Sequence, residues 1–114
     1  MQKPSILTRP NGATIAYHHN PGKKPGVLFC GGFHSDMTGI KATTLETHSR
    51  KNGQQYARFD YQGHGVSSGH FKDGTIGLWR DDMLAGFEEV TEGPQIVVGS
   101  SMGGWMALLL TLLR

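Results

Sequence analysis

Residues 96–114 read IVVGSSMGGWMALLLTLLR, and this stretch decides more of the fold than any other part of the chain. Its first three residues are β-branched, which is typical of a short buried strand. A G-x-S-x-G match at residues 99–103 follows, and a run of apolar helix formers comes directly after it. Strand, glycine-flanked serine and helix together are the context in which a nucleophilic serine is presented at the edge of a sheet.

Ser101 is therefore predicted to be the catalytic nucleophile. A chain that reverses within one residue strains the backbone there and leaves little room for side chains nearby. Gly99 and Gly103 clear that space, two positions before and two after. A helix beginning at Met102 points its N–H groups at the serine, so the Met102 N–H is predicted to stabilise an oxyanion. Ser100 lacks the symmetric glycine pair and is interpreted as a packing residue. The alternative is a chance match, since the chain has 17 glycines.

The second predicted oxyanion donor lies after an earlier strand. Residues 27–30, VLFC, form a continuous apolar run that indicates a strand buried on both faces. Gly31 and Gly32 follow it and let backbone N–H groups approach a ligand closely. We expect the Phe33 N–H to be the second donor. His34 is expected beside the site, where it contacts substrate or caps the loop. The alternative is an ordinary strand-to-helix turn.

The remaining patterns predict a β-hairpin followed by β-α-β-α-β-α. The predicted strands are residues 5–8, 13–18, 27–30, 55–61 and 95–98, with a Pro- and Gly-rich loop at 19–26. The predicted helices are residues 37–50, capped by Asp36, a second one capped by Thr75, and a third beginning at Met102. The first was expected to bury a stripe that includes Ile40. This alternation implies an α/β fold, with a mostly parallel sheet, helices on both faces, and chemistry at the carboxyl ends of the strands.

The loop at residues 60–69 contains three glycines and two residues that could belong to a catalytic triad, Asp60 and His64. It lacks a third glycine at the spacing of a phosphate-binding loop and the Lys-Ser/Thr pair, so nucleotide binding is excluded. We interpret Asp60 as a structural residue that accepts hydrogen bonds from its own turn. A minor alternative makes His64 or His34 an unconventional base for Ser101. The charged residues at 80–92 are interpreted as a solvated helix face.

Composition limits the function classes. Eleven Lys and Arg against nine Asp and Glu give a net charge of +2, and the basic residues are scattered, so no nucleic-acid surface is predicted. The single cysteine, Cys30, is interpreted as a small buried hydrophobe and indicates a reducing compartment, the cytoplasm. No spacing of Cys and His suggests zinc, and no cofactor or metal is expected. No signal peptide is expected, and residues 105–113 are shorter than the ~20 residues of a membrane span.

Three segments together resemble the N-terminal half of an α/β-hydrolase: residues 29–33 (FCGGF), 60–67 (DYQGHGVS) and 99–104 (GSSMGG). The motif GSSMGGW at residues 99–105 and the SDM at 35–37 look most like those of bacterial relatives of the mitochondrial depalmitoylase and acyl-glucuronide esterase branch. The resemblance implies that residues 1–114 are the N-terminal part of one α/β-hydrolase domain. It also implies cleavage of a small-molecule ester or thioester through an acyl-serine, with Ser101 as nucleophile and Phe33 and Met102 as oxyanion donors.

The chain departs from the family in one respect. There the acid and the histidine follow the nucleophile. Here thirteen residues follow Ser101 and none is Asp, Glu or His, while all six histidines precede it. A family domain has ~200–250 residues. We therefore expect a chain truncated after the nucleophile helix, inactive alone, that self-associates through an exposed C-terminal helix face at residues 108–113. The alternative is a non-catalytic binding or interaction derivative of the fold.

Overall fold

A five-stranded sheet forms the centre of the computed structural model, which describes residues 3–114. The strands are β1 (Ser5–Thr8), β2 (Thr14–Asn20), β3 (Lys23–Cys30), β4 (Gln54–Phe59) and β5 (Gln95–Gly99). Their order across the sheet is β1-β2-β4-β3-β5. β1 and β2 form an antiparallel hairpin, β2 pairs antiparallel with β4, and β4, β3 and β5 run parallel. The predicted hairpin and parallel sheet are both confirmed.

Three α-helices cover the two faces of this sheet within the described residues. They are α1 (Ile40–Lys51), α2 (Ile76–Glu89) and α3 (Met102–Leu113), with a short 3-10 turn at Phe71–Asp73. α1 packs on the face that carries Val27, Phe29 and Tyr56. α2 and α3 pack together on the opposite face, against residues that include Leu28 and Cys30. The prediction of helices on both faces is therefore confirmed.

β3 occupies the middle of the parallel part, and its sequence explains this position. Alternate side chains of a strand point to opposite faces, so Val27 and Phe29 meet α1 while Leu28 and Cys30 meet the α2–α3 layer. All four are buried, which is why the run is apolar without interruption. Burial raises the pKa of the Cys30 thiol to about 12, so this cysteine is an inert hydrophobe, as predicted.

The predicted loop at residues 19–26 was too long. β2 continues to Asn20 and β3 begins at Lys23, so the connection is only two residues. Lys23 pairs with Gln54 of β4, and the register shifts between Lys23 and Val27. The Pro and Gly residues indicated a turn correctly, but pairing with β4 overrides their local preference on either side of it.

The predicted start of α1 and part of its predicted buried face were also wrong. The helix begins at Ile40 after Gly39, and its cap makes no side-chain hydrogen bond. Asp36 instead accepts hydrogen bonds from the Thr38 hydroxyl and, at 2.8 Å, from the Thr38 N–H, which lower the pKa of its carboxyl. An aspartate that binds the backbone two residues on closes a turn of its own. Ile40 is 85% exposed, and the small residue Ala42 faces the sheet instead.

Candidate active site

The sharp reversal predicted at residue 101 is present. Ser101 lies between β5 and α3 with φ 58° and ψ −119°. A positive φ is strained for a residue with a side chain, and such strain persists only where the surroundings hold it. The serine side chain is exposed. The chain therefore presents this hydroxyl to solvent at the carboxyl end of the parallel sheet.

The two glycines that flank the reversal have no room for a side chain. A Cβ built on Gly99 would lie 2.1 Å from the carbonyl oxygen of Gly103. One built on Gly103 would lie 1.9 Å from the carbonyl oxygen of Cys30. Both distances are far below van der Waals contact, and both neighbours are backbone atoms that cannot rotate away. The crossing of β5, β3 and α3 thus requires the glycine spacing seen in the sequence.

The loop after β3, residues 31–39, runs directly beside this reversal. A Cβ built on Gly32 would lie 3.5 Å from the Ser101 Cβ and 3.2 Å from the Ser100 carbonyl oxygen. Within residues 3–114, the N–H groups of Phe33 and Met102 donate to no protein acceptor. The structure therefore brings the exposed serine hydroxyl next to two loops that carry unpaired backbone donors. These are the donors that the sequence indicated.

Phe33 and His34 rest on an aromatic cluster that sequence patterns did not reveal. The Phe33 ring lies edge-on to Phe71 at 4.9 Å and to Trp79 at 5.8 Å, although 57% of the residue is exposed. The His34 ring lies 4.2 Å from the Phe71 ring, and its backbone has φ 59°. His34 is thus the second non-glycine residue with positive φ in the described chain, and it lies in the loop beside Ser101.

Asp60 connects two loops at this end of the sheet. One carboxylate oxygen accepts the Met37 N–H at 2.7 Å, and the other accepts the Val66 N–H at 3.1 Å. The second bond is the contact within its own turn that the sequence predicted, whereas the first reaches the loop before α1. Burial raises the pKa of the Asp60 carboxyl, and the two N–H donors partly offset this shift.

Tyr61 and His64, which follow Asp60 in the chain, both form hydrogen bonds with the loop at residues 31–39. The Tyr61 hydroxyl donates to the Gly31 carbonyl oxygen at 3.1 Å. His64 is only 3% exposed; its Nε2 accepts the His34 N–H at 3.1 Å, and its Nδ1 lies 3.2 Å from the Gln62 carbonyl oxygen. A general base would need that Nε2 for the serine proton, so the geometry disfavours His64 as a base.

Asp82 corrects the interpretation of the charged residues on α2. It was expected on a solvated face, but it is fully buried and accepts the Gln62 N–H and the Gln62 side-chain amide, both at 2.8 Å. Burial raises the pKa of its carboxyl, against these hydrogen bonds and the nearby Arg9 guanidinium. A sequence signal existed. Position 82 shares a helical face with Trp79 and Met83, whose apolar spacing marks the buried side.

Lys41 is a neighbour of the site that sequence reasoning missed. Its ammonium donates to the Ser100 hydroxyl at 2.9 Å. The two residues are 59 positions apart, so no local pattern indicates the contact. Lys41 and Ser100 line an open cavity of 290 Å³ with the glycines at 31 and 32 and with Ser35. Ser100, interpreted earlier as a packing residue, thus has a polar contact with α1.

Neither a metal centre nor a membrane helix emerges from the described part of the chain. No three His, Cys, Asp or Glu side chains among residues 3–114 lie close enough together to hold a metal ion. In the same range, the helices all fall short of the length and apolar character that crossing a bilayer requires.

Comparison with solved structures defines the class of protein. The chain superposes on the alpha/beta hydrolase domain-containing protein 10 from mouse with a TM-score of 0.96 and 42% identity, covering 99% of this chain and 45% of that one. It superposes on a putative hydrolase from Agrobacterium vitis S4 with a TM-score of 0.91 and 38% identity, over 97% and 45% of the two chains. The chain therefore has the α/β-hydrolase fold. No family model matches it.

Two curated relatives that the chain matches carry the same protein name. The chain is 45% identical over 102 residues to the bovine mitochondrial palmitoyl-protein thioesterase ABHD10, which covers 90% of this chain and 33% of the relative. It is 43% identical over 104 residues to the human protein of the same name, covering 91% and 34%. The chain thus spans about a third of the length of the curated relatives it matches, and the resemblance to the depalmitoylase branch is confirmed at this level.

Proposed function

We propose that this protein is a serine hydrolase that cleaves a carboxylic ester or thioester through an acyl-serine intermediate. The observation that carries the proposal is the strained, exposed Ser101 at the end of β5, beside two unpaired N–H groups. Similarity to proteins named palmitoyl-protein thioesterase favours a thioester among the possible substrates. On this proposal, residues 1–114 are the N-terminal part of one α/β-hydrolase domain.

The proposed reaction follows from the positions of these groups. The Ser101 Oγ attacks the acyl carbonyl carbon and gives its proton to a general base, and the carbonyl oxygen becomes an oxyanion. The N–H groups of Phe33 and Met102 donate hydrogen bonds to that oxyanion, because within residues 3–114 both donate to no other protein group. The oxyanion collapses, the C–S or C–O bond breaks, and the leaving thiol or alcohol takes the proton back from the base. Water then hydrolyses the acyl-serine to the free acid and the Ser101 hydroxyl. Donors of this kind typically contribute about 10²–10³ in rate each.

His34 is proposed to bind the substrate. The residue is exposed, its ring lies tilted against the Phe71 ring, and it belongs to the loop that runs beside Ser101. An apolar acyl group or a leaving group could lie on this aromatic surface. His34→Ala is then expected to raise KM more than it lowers kcat, because the lost contact is made in both ground and transition states. An unchanged KM across several acyl chain lengths would contradict this role.

A fluorophosphonate probe tests the nucleophile directly, since it phosphonylates an activated serine and spares an inactive one. We expect labelling of the gene's full product at Ser101, located by peptide mass spectrometry, and its loss in Ser101→Ala. Ser100→Ala is the matched comparison, because it removes the neighbouring hydroxyl and should still label at 101. Absence of labelling in the wild type would favour the non-catalytic binding derivative.

The 114-residue polypeptide by itself is expected to be nearly inactive. Within residues 3–114 Ser101 has no hydrogen-bonded base, and residues 102–114 include no His, Asp or Glu. Residual catalysis from oxyanion stabilisation alone is ~10³-fold over water. Labelling rates of this polypeptide and of the full gene product, measured side by side, should differ by orders of magnitude. Equal rates would mean that the base lies within these residues.

The exposed face of α3 is proposed to mediate self-association. Trp105, Leu108 and Leu112 are 54%, 67% and 82% exposed, an unusual density of large apolar groups for one helix. For the 114-residue polypeptide we expect a concentration-dependent mass in sedimentation equilibrium, and a shift toward monomer in Leu108→Lys. Thr111→Lys on the same helix is the charge-matched control. Identical behaviour of the two variants would contradict the proposal.

The cytoplasm is the proposed location, supported by a single cysteine that is buried and unpaired. The mammalian relatives are named as mitochondrial proteins. Fractionation of cells that express the tagged full gene product tests the proposal, and recovery from an oxidising compartment would overturn it.

A further inference from the structure

We infer that His64 is a positioning residue: its Nε2 holds the backbone of His34 so that the neighbouring Phe33 N–H faces the Ser101 oxyanion. This inference rests on the proposed serine hydrolase function. It assigns a role to a buried side chain whose hydrogen bonds, within residues 3–114, go to His34 and Gln62 and not to the serine.

The argument begins with the strain at His34. Its φ of 59° is unfavourable for any residue with a Cβ, so some interaction must hold it there. The structure shows two such interactions. The His34 N–H donates to the His64 Nε2 at 3.1 Å, and the His34 ring packs against Phe71 at 4.2 Å. Of these, only the hydrogen bond fixes the direction of the backbone amide.

The tautomer of His64 follows from its two partners. Its Nε2 faces an N–H donor and must accept, so the ring proton sits on Nδ1, which faces the Gln62 carbonyl oxygen at 3.2 Å. The ring is buried and lies edge-on to Trp79 at 5.0 Å and to Tyr61 at 5.5 Å. Both nitrogens are therefore engaged, and the ring is enclosed in one orientation.

Peptide planarity carries this constraint to the oxyanion donor. The Gly32 carbonyl and the Phe33 N–H share one peptide plane and point in opposite directions. The Gly32 carbonyl accepts the Ser35 N–H at 3.2 Å, which sets the plane on one side. The preceding plane is held by the Tyr61 hydroxyl on the Gly31 carbonyl, and the following one by His64 on the His34 N–H. If His64 releases its plane, the Phe33 amide loses one of the restraints that fix its direction.

Two variants test the two hydrogen bonds of the His64 imidazole one at a time. In His64→Gln the side-chain amide reaches the Nε2 position and can accept the His34 N–H. In His64→Asn it reaches only the Nδ1 position and can bond the Gln62 carbonyl. We expect Gln to keep fluorophosphonate labelling and kcat within about fivefold of the wild type. We expect Asn to lower both by about 10²-fold with KM nearly unchanged, as for a misplaced oxyanion donor. His48→Asn, an exposed histidine on α1, is the control.

A second measurement needs no activity. In ¹⁵N NMR spectra of the full gene product, the His64 ring should show the Nδ1–H tautomer, and the His34 amide should exchange more slowly in the Gln variant than in the Asn variant. Failure of the wild type to label at Ser101 would contradict the proposed function. The spectra would still show whether the His64 Nε2 accepts the His34 N–H. An Nε2–H tautomer, or equal losses in the Gln and Asn variants, would overturn the role of His64.

Discussion

Two loops that meet at the carboxyl end of the sheet are built by different physical means. The reversal at residues 99–103 is fixed by backbone atoms in contact, with glycines where no Cβ fits. The loop at residues 60–66, here named the anchor loop, is fixed by hydrogen bonds in which the buried side chains of Asp60 and His64 accept and that of Tyr61 donates. Steric exclusion leaves a spacing that can be read in the sequence. Hydrogen-bond anchoring is visible in the sequence only as polar residues, because their partners lie far away along the chain.

The largest effect is expected from the glycines of the reversal. Gly103→Ala would place a Cβ 1.9 Å from the Cys30 carbonyl oxygen, so β3 and α3 must separate, which we expect to cost more than about 3 kcal/mol of unfolding free energy. Gly104→Ala is the control, because its Cβ would meet nothing nearer than 3.9 Å and a helical alanine is favourable by up to about 1 kcal/mol. Urea unfolding compares the two. Similar losses in both would contradict a steric origin.

The next effect is expected in the anchor loop. Asp60→Asn keeps one carbonyl oxygen but turns an NH₂ group toward one of the two backbone donors, at Met37 or Val66. A buried donor left without an acceptor costs about 1–3 kcal/mol, so we expect a loss of about 2 kcal/mol. Asp73→Asn, on an exposed turn, is the comparison in the same thermal melts. If Asp60→Asn melted like the wild type, hydrogen-bond anchoring would not be what holds this loop.

A smaller effect is expected from Tyr61→Phe, which removes the hydroxyl that donates to the Gly31 carbonyl. One neutral hydrogen bond contributes about 1 kcal/mol. Tyr17→Phe serves as the matched control, since among the described residues its hydroxyl has no hydrogen-bond partner. Chemical denaturation should separate the two variants by about that amount. Equal stabilities would show that the Gly31 carbonyl finds another donor.

The smallest effect, and one that depends on pH, is expected from Asp82→Asn. The asparagine can accept the Gln62 N–H and donate to a flipped Gln62 amide, so at pH 7 we expect a change within about 1 kcal/mol. Because burial raises the pKa of the Asp82 carboxyl, its stabilising contribution is complete below its ordinary pKa of 3.8 and is lost as pH rises through the folded-state value.

The stability of Asp82→Asn relative to wild type should therefore improve as pH rises above 3.8 and level off once pH exceeds the folded-state pKa of the Asp82 carboxyl. Urea unfolding at four pH values measures this trend. Asp81→Asn removes the adjacent carboxyl, which is far more exposed, and is the matched control. A relative stability that falls over this range would mean that the buried carboxylate is favoured by its partners more than burial opposes it.

The same contrast explains how far the sequence alone could lead. Residues 96–103 indicate strand, reversal and helix because each step leaves a local pattern, and β3 is recognisable from its uninterrupted apolar run. The start of α1 was misplaced because Asp36 has two local partners available, a helix end or its own turn. Asp82, Lys41 and His64 have partners far away in sequence, namely Gln62, Ser100 and His34. Only the packed fold brings those pairs together.

Two consecutive carbonyls at the end of β3 connect this strand to both halves of the site. Its last carbonyl, on Cys30, accepts the Ser100 N–H at 3.3 Å, and the next one along the chain, on Gly31, accepts the Tyr61 hydroxyl. Two consecutive carbonyls therefore serve as a common reference for both halves of the site. Transplanting either loop from another protein should keep serine and amide aligned only if this pair stays in register, whereas a one-residue insertion between them would misalign both halves at once.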